Sequence, residues 1–157
     1  MSLPYSDAFF VQVFPHECTE TFQAAHPRPL EFFGGVPRRI SYDNSRIAAA
    51  RFVGKRGDAP TRELLRLQSH YLFAHHFCLG RRPIEKGPME NLIGFARRNF
   101  LTPVPWTGSR EAFNAKLERL CREDLERKLR GQTANKASLL AEEQAALSPL
   151  PNSAFEA

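Results

Sequence analysis

The alternation of apolar and polar positions divides the chain into short elements. Ala8-Phe9-Phe10-Val11-Gln12-Val13-Phe14 is an aromatic and β-branched run closed by Pro15, which predicts a strand. Residues 17–26 (ECTETFQAAH) predict a short helix that Pro27 and Pro29 interrupt. Leu30 to Phe33 adds a turn before the stop signal Gly34-Gly35. Arg39-Ile40-Ser41-Tyr42 predicts a second strand, ended by the turn formers Asp43 and Asn44. Thr61 is placed to cap a helix reaching about Leu72, with Leu64, Leu67 and Tyr71 on one face. Phe73 to Leu79 predicts a third strand. Pro88 suits the first helical position, and Met89, Leu92, Ile93, Ala96 and Phe100 recur at helical spacing after it. Ser109 predicts a helix to about Arg130, striped by Phe113, Leu117, Leu120, Cys121 and Leu125 and ended by Gly131. A last helical piece, 138–147, precedes Pro149-Leu150-Pro151. The order β, α, β, α, β, α, α, α predicts an α/β layer with some parallel pairing.

Composition narrows the class. A chain of 157 residues with 42% hydrophobic content suits a folded domain with one core. No apolar run has bilayer-spanning length, and the N-terminus lacks the basic and apolar regions of a secretion signal. The expectation is a soluble, cytoplasmic protein. Cys18, Cys78 and Cys121 are odd in number and far apart, which fits reduced thiols better than a disulfide framework.

Charge is unevenly spread. Arg38 to Arg98 holds thirteen Lys/Arg against five Asp/Glu, a local excess of +8, whereas Glu111 to the end holds seven against eight. The residues at 51–60 and 80–87 are basic, Gly-containing loops in this reading. Such an excess suits a polyanion, nucleic acid above all, although a domain can also simply be basic.

Two acids fall inside this basic region. Asp43 ends a strand, and Glu90 opens a helix, where a carboxylate is favoured by the helix dipole and Arg97 shares its flank. Together they could share a divalent metal, since hard cations take carboxylate oxygens and phosphate chemistry uses such ions. Read alone, Asp43 is a turn residue after a strand and Glu90 a surface residue matched to the dipole, since a pair of acids is a weak motif. His75, His76 and Cys78 put at most two ligands on one strand face, too few for zinc. Gly34-Gly35 lacks the spacing and the Lys-Ser/Thr pair of a phosphate loop. Tyr42 reads as a packing residue, and Trp106 as a packing or base-stacking one.

The segments EFFGGVPRRISYDN and HYLFAHHFCLGRRPIEKGPMENLIGFARRNFL, with LPYS at the start and LSPLPNSAF at the close, carry a resemblance along almost the whole chain. Their Gly-Gly-x-Pro, Tyr-Asp-Asn and Glu-Lys-Gly-x-x-Glu-Asn pattern resembles the catalytic core of IstA-type transposases of bacterial insertion sequences. Those belong to the DDE transposase and retroviral-integrase superfamily, with a ribonuclease-H-like fold. The resemblance implies that Asp43 is the second metal-binding aspartate, at the tip of the fourth strand. It implies that Glu90 is the glutamate on the helix after the fifth strand. Two Mg2+ ions would then serve DNA strand cleavage and transfer, acting on transposon ends and target. Lys86, Arg97 and Arg98 would contact DNA phosphates, a transposase oligomer would form, and an ATPase helper protein would assist.

The chain also departs from that pattern. The family's first aspartate lies on a central strand upstream of LPYS, whereas this sequence opens at Met1-Ser2-Leu3, and Asp7 does not replace it. Pro27 and Pro29 fall where the family tends to be helical. The expectation is therefore a ribonuclease-H-like integrase core lacking its first strand, truncated and weak or inactive alone. It would be partitioned as a partial core at 1–101, a linker at 102–108 and a helical extension at 109–157. A non-catalytic DNA- or protein-binding module that modulates a full-length transposase is the alternative.

Overall fold

The computed structural model describes residues 1–42, 49–51, 58–78, 83–103 and 108–156, with backbone alone at 49–51, 58 and 83–90. In chain order the elements are α1 (Thr19–Ala24), α2 (Pro27–Phe33), β1 (Arg39–Tyr42), β2 (Ala49–Arg51), β3 (Asp58–Pro60), α3 (Arg62–Tyr71), β4 (Ala74–Phe77), α4 (Pro83–Phe100), α5 (Arg110–Asp124) and α6 (Lys136–Gln144). Helix and strand are mixed, as an α/β chain requires. The chain forms two compact units, each drawn from separate stretches of sequence: Met1–Pro15 with Gly87–Ala146, and His16–Lys86 with Leu147–Ala157.

The unit built on His16–Lys86 holds the described sheet pairs. β1 and β4 pair in parallel, with Ile40 opposite His75 and Tyr42 opposite Phe77. The Cys78 N–H donates to the Tyr42 carbonyl at 2.9 Å, carrying the ladder one step further. α3 lies between these strands in sequence and makes a βαβ connection. Its start follows from local chemistry: the Thr61 hydroxyl accepts from the Leu64 N–H at 3.3 Å. Leu64, Leu67 and Tyr71 then bury the predicted stripe. The two prolines begin a helix rather than ending one, because Pro27 occupies the first position of α2, where no N–H is needed. Gly34 stops that helix in the left-handed region at φ 77°, as only glycine does cheaply. Leu30, Phe32, Phe33, Val36, Ile40 and Phe73 complete the core. The basic loop expected at 51–60 is bounded by an antiparallel pair, β2 with β3, while residues 52–57 lie outside the described set.

The other unit corrects the first strand prediction. Ala8 to Phe14 is extended but joins no sheet among the described residues; its only bridge joins Phe9 to Ser2. Its backbone groups are satisfied elsewhere. Phe10 exchanges hydrogen bonds with Met1, and the Asn114 side chain accepts from the Val13 N–H at 2.8 Å and donates to its carbonyl at 3.0 Å. The aromatic side chains pack instead of pairing: Phe9 meets Phe95 edge-on at 6.0 Å and stacks on Phe100 at 5.7 Å.

α4 starts at Pro83, so Gly87 and Pro88 lie inside the helix rather than before it. Pro83 carries the first-position signal that Pro88 was expected to carry. In the predicted stripe Ala96 and Phe100 are buried, but Ile93 is 45% exposed. α5 is capped by the Ser109 hydroxyl, which accepts from Ala112 N–H at 3.1 Å, and ends at Asp124 rather than Arg130. It ends early because the chain tightens into i→i−3 bonds at Leu125, Glu126 and Arg127, and because the carbonyls of Leu125 and Arg127 accept from Ala137 and Lys136. α6 begins two residues before the predicted 138 and is capped by Asn135, whose side chain accepts from the Ser138 N–H at 2.9 Å.

Candidate functional site

The carboxyl ends of β1 and β4 are where a parallel pair presents its loops, and open α/β sheets bind ligands at such ends. Tyr42 is the last residue of β1, and Asp43 follows it directly. Asp43 itself lies outside the described residues. Glu90 sits on α4, the helix that follows β4 in sequence, and Lys86 lies one turn before it. The side chains of both are outside the described set. Asp43 and Lys86 belong to the His16–Lys86 unit and Glu90 to the other.

The β1 end is anchored by a histidine that periodicity does not single out. His26 is only 3% exposed. Its Nδ1 lies 2.8 Å from the Phe22 carbonyl, and its Nε2 lies 2.9 Å from the Tyr42 hydroxyl. Burial pushes the imidazole down to about 4, and the bond to the Phe22 carbonyl opposes this only in part. The ring is therefore neutral at pH 7. With a carbonyl as its only possible role partner, Nδ1 carries the proton, and Nε2 accepts from Tyr42. Burial also raises the phenol of Tyr42 above its ordinary range, so it stays a donor. Phe73 stacks on the His26 ring with 4° between planes, and Phe22 lies edge-on. Tyr42 thus fulfils the packing role expected of it and adds a buried hydrogen bond. The signal that could have found His26 is its place before Pro27, at the N-cap of α2, within reach of helix α1.

Arg97 and Arg98 lie in the last turn of α4 and are exposed. The Arg98 guanidinium folds back along the helix, since a Cβ at Gly94 would sit 3.1 Å from its Nη1. The Arg97 carbonyl accepts from the Thr102 hydroxyl at 2.9 Å. Two neighbouring exposed guanidinium groups can neutralise adjacent phosphates. The His75, His76 and Cys78 cluster stays apart from metal chemistry in one respect: His75 Nδ1 is 3.0 Å from the Gln68 side-chain oxygen. Among the described residues no group of three His, Cys, Asp or Glu side chains could hold a metal ion. Trp106 lies outside the described residues, and no described helix is long and apolar enough to cross a membrane.

No protein-family model matches the chain. It is similar to a transposase of Aminobacter aminovorans, with 37% identity over 149 residues, covering 94% of this chain and 29% of that protein. It is 30% identical over 158 residues to the transposase for insertion sequences IS1326/IS1353 of Pseudomonas aeruginosa, covering 99% of this chain and 31% of the relative. It is 27% identical over 156 residues to the transposase for insertion sequence element IS21 of Pseudomonas aeruginosa, covering 99% of this chain and 40% of the relative. The relatives are thus transposases, two of them for insertion sequences, and the chain spans less than a third of the length of the first two.

Proposed function

We propose that this chain is a segment of a DDE-type, IstA-like transposase and carries two of its metal-binding carboxylates, Asp43 and Glu90. The observation that supports this most is the similarity to transposases along 94–99% of the chain, two of them for insertion sequences. The order β1, α3, β4, α4, with an acid directly after β1 and another on α4, agrees with a ribonuclease-H-like core. The donor set is two carboxylates, the ligand type that Mg2+ prefers. When bound, a pair of such ions would activate the attacking oxygen and stabilise the leaving one in DNA cleavage and strand transfer. Asp43 and Glu90 would hold the ions, with a third carboxylate required to complete the set. Lys86, Arg97 and Arg98 would hold the DNA backbone without reading its sequence. By the same reading the parent transposase acts on transposon ends and target DNA as an oligomer, served by an ATPase helper.

The test is cleavage of a duplex bearing a transposon end, with Mg2+, by a full-length transposase in which this segment replaces the corresponding one. Asp43→Asn or Glu90→Gln is expected to abolish nicking, roughly 100-fold or more, while DNA binding in EDTA is unchanged. Nicking that survives both changes would refute the assignment. Unimpaired binding with no nicking by the unsubstituted chimera would leave a binding module.

A further inference from the structure

We infer that the outer face of α3 is a second contact surface for the DNA backbone, built on Arg62 and Arg66, with His70 as part of its wall. This extends the DNA-binding part of the reading above to residues which that reading does not use.

Arg62, Arg66 and His70 are spaced four apart, so they stack along one face of the helix at about 6 Å per step. They line an open cleft of about 510 Å³, together with Leu65, Ser69, Phe155 and Glu156. Among the described residues Arg62 is exposed and makes no ion pair or hydrogen bond. Arg66 is held in place and makes no ion pair among the described residues. Its Nη2 donates to the Glu156 carbonyl at 3.1 Å, and its guanidinium lies 5.8 Å from the Phe155 ring centre. A guanidinium has five N–H donors, so this anchoring leaves most of them free for an oxyanion. Fixing the side chain beforehand also lowers the entropy lost on binding.

His70 forms the inner wall. Its ring packs edge-on against Phe155 at 5.3 Å and Tyr71 at 4.7 Å. Its Nε2 is buried and has no hydrogen-bond partner among the described residues. The ring therefore shapes the cleft wall, and the anion contacts fall to the two guanidinium groups. Ser69 does not help, because its hydroxyl already donates to the Leu65 carbonyl at 2.9 Å. Among the described lining residues Glu156 carries the one carboxylate, and it opposes an anion. Two guanidinium groups with an open, aqueous cleft favour a chain of phosphates approaching from outside over a small enclosed anion. An extended phosphodiester fits the linear spacing along the helix.

The experiment measures binding of a 30-base-pair duplex of arbitrary sequence to the full 157-residue chain, in EDTA, over a salt series. Arg62→Gln with Arg66→Gln is expected to lower the slope of log K against log salt by about 1–2, since each phosphate contact contributes about 0.9. Affinity at low salt should fall several-fold. Arg62→Lys with Arg66→Lys is expected to restore most of the slope. His70→Phe, which keeps the ring packing, should leave affinity and slope close to those of the natural chain. Unchanged circular dichroism and urea midpoint establish that the fold is kept. A slope and affinity unaffected by the Gln pair would overturn the inference, as would binding of inorganic phosphate alone with no effect on DNA. Because no metal is present, this result is independent of nicking: loss of the α3 effect with nicking intact would sink only this inference, and the reverse would sink only the catalytic reading.

Discussion

Tyr42 donates its phenolic hydrogen to His26 Nε2 across 2.9 Å, and this bond ties the last residue of β1 to the junction between α1 and α2. The residue that follows Tyr42 is the proposed metal ligand Asp43. The bond is therefore part of the scaffold under the candidate site as well as part of the core.

Replacing Tyr42 with Phe removes the hydroxyl and keeps the ring. It leaves a buried imidazole nitrogen without a partner, a loss of about 1–3 kcal/mol. A urea midpoint shift checks this, with the denaturant slope expected to stay constant. No shift would mean that the bond does not form in solution.

His26 predicts a pH dependence of stability. Its folded pKa, about 4, lies below the ordinary histidine value of 6.5, so the unfolded chain binds the proton more readily. Stability contributed by the neutral ring is complete above pH 6.5 and is lost as pH falls towards 4. The full loss is at most roughly 3 kcal/mol. Comparing urea midpoints of the natural chain and a His26→Gln variant from pH 7 to pH 4 isolates this part. The difference between them should narrow at low pH.

Lys136 is fully buried, and its ammonium sits 2.7 Å from Asp124 Oδ2 and 3.0 Å from Asp7 Oδ2. It also donates to the Asp7 carbonyl at 3.0 Å and lies 5.1 Å from the Phe9 ring centre. Lys136→Met removes the closer of two cations from the buried Asp124 carboxylate, leaving Arg127 at 3.4 Å, and should cost up to about 3–5 kcal/mol. Adding Asp124→Asn removes the under-compensated charge and should return part of that loss. A double-mutant cycle by urea denaturation measures the coupling.

Gly35 allows a close approach of the segment after α6. A Cβ there would lie 2.7 Å from the Leu147 Cβ and 2.9 Å from the Ser148 carbonyl. That segment is tied to Val36 by two backbone bonds of 2.8 Å, so it cannot simply retreat. Gly35→Ala should destabilise by about 1–3 kcal/mol. A Tm equal to that of the natural chain would show that the contact is loose.

What the sequence determined by itself was local. Thr61 and Ser109 announced their helices because a hydroxyl reaches an N–H only three residues on. Gly34 announced a helix end because its φ of 77° favours glycine. The apolar stripe of α3 was legible because helical spacing alone sets a face. Asp43 and Glu90 were visible as two acids in a basic region that could share a divalent metal, and the motif resemblance is what implied a role for each.

The tertiary structure decided the rest, where the partner lies far along the chain. Ala8 to Phe14 has strand composition, yet the side chain of Asn114, 101 residues from Val13, takes the backbone bonds of Val13. Nothing in local spacing marks Lys136 for burial, and two acids, Asp7 and Asp124, make that burial tolerable. His26 took its tautomer from a carbonyl on α1 and a hydroxyl on β1. Spacing along a sequence fixes which groups share a face. Which distant group meets that face is settled only when the core closes and every buried polar atom must find a partner.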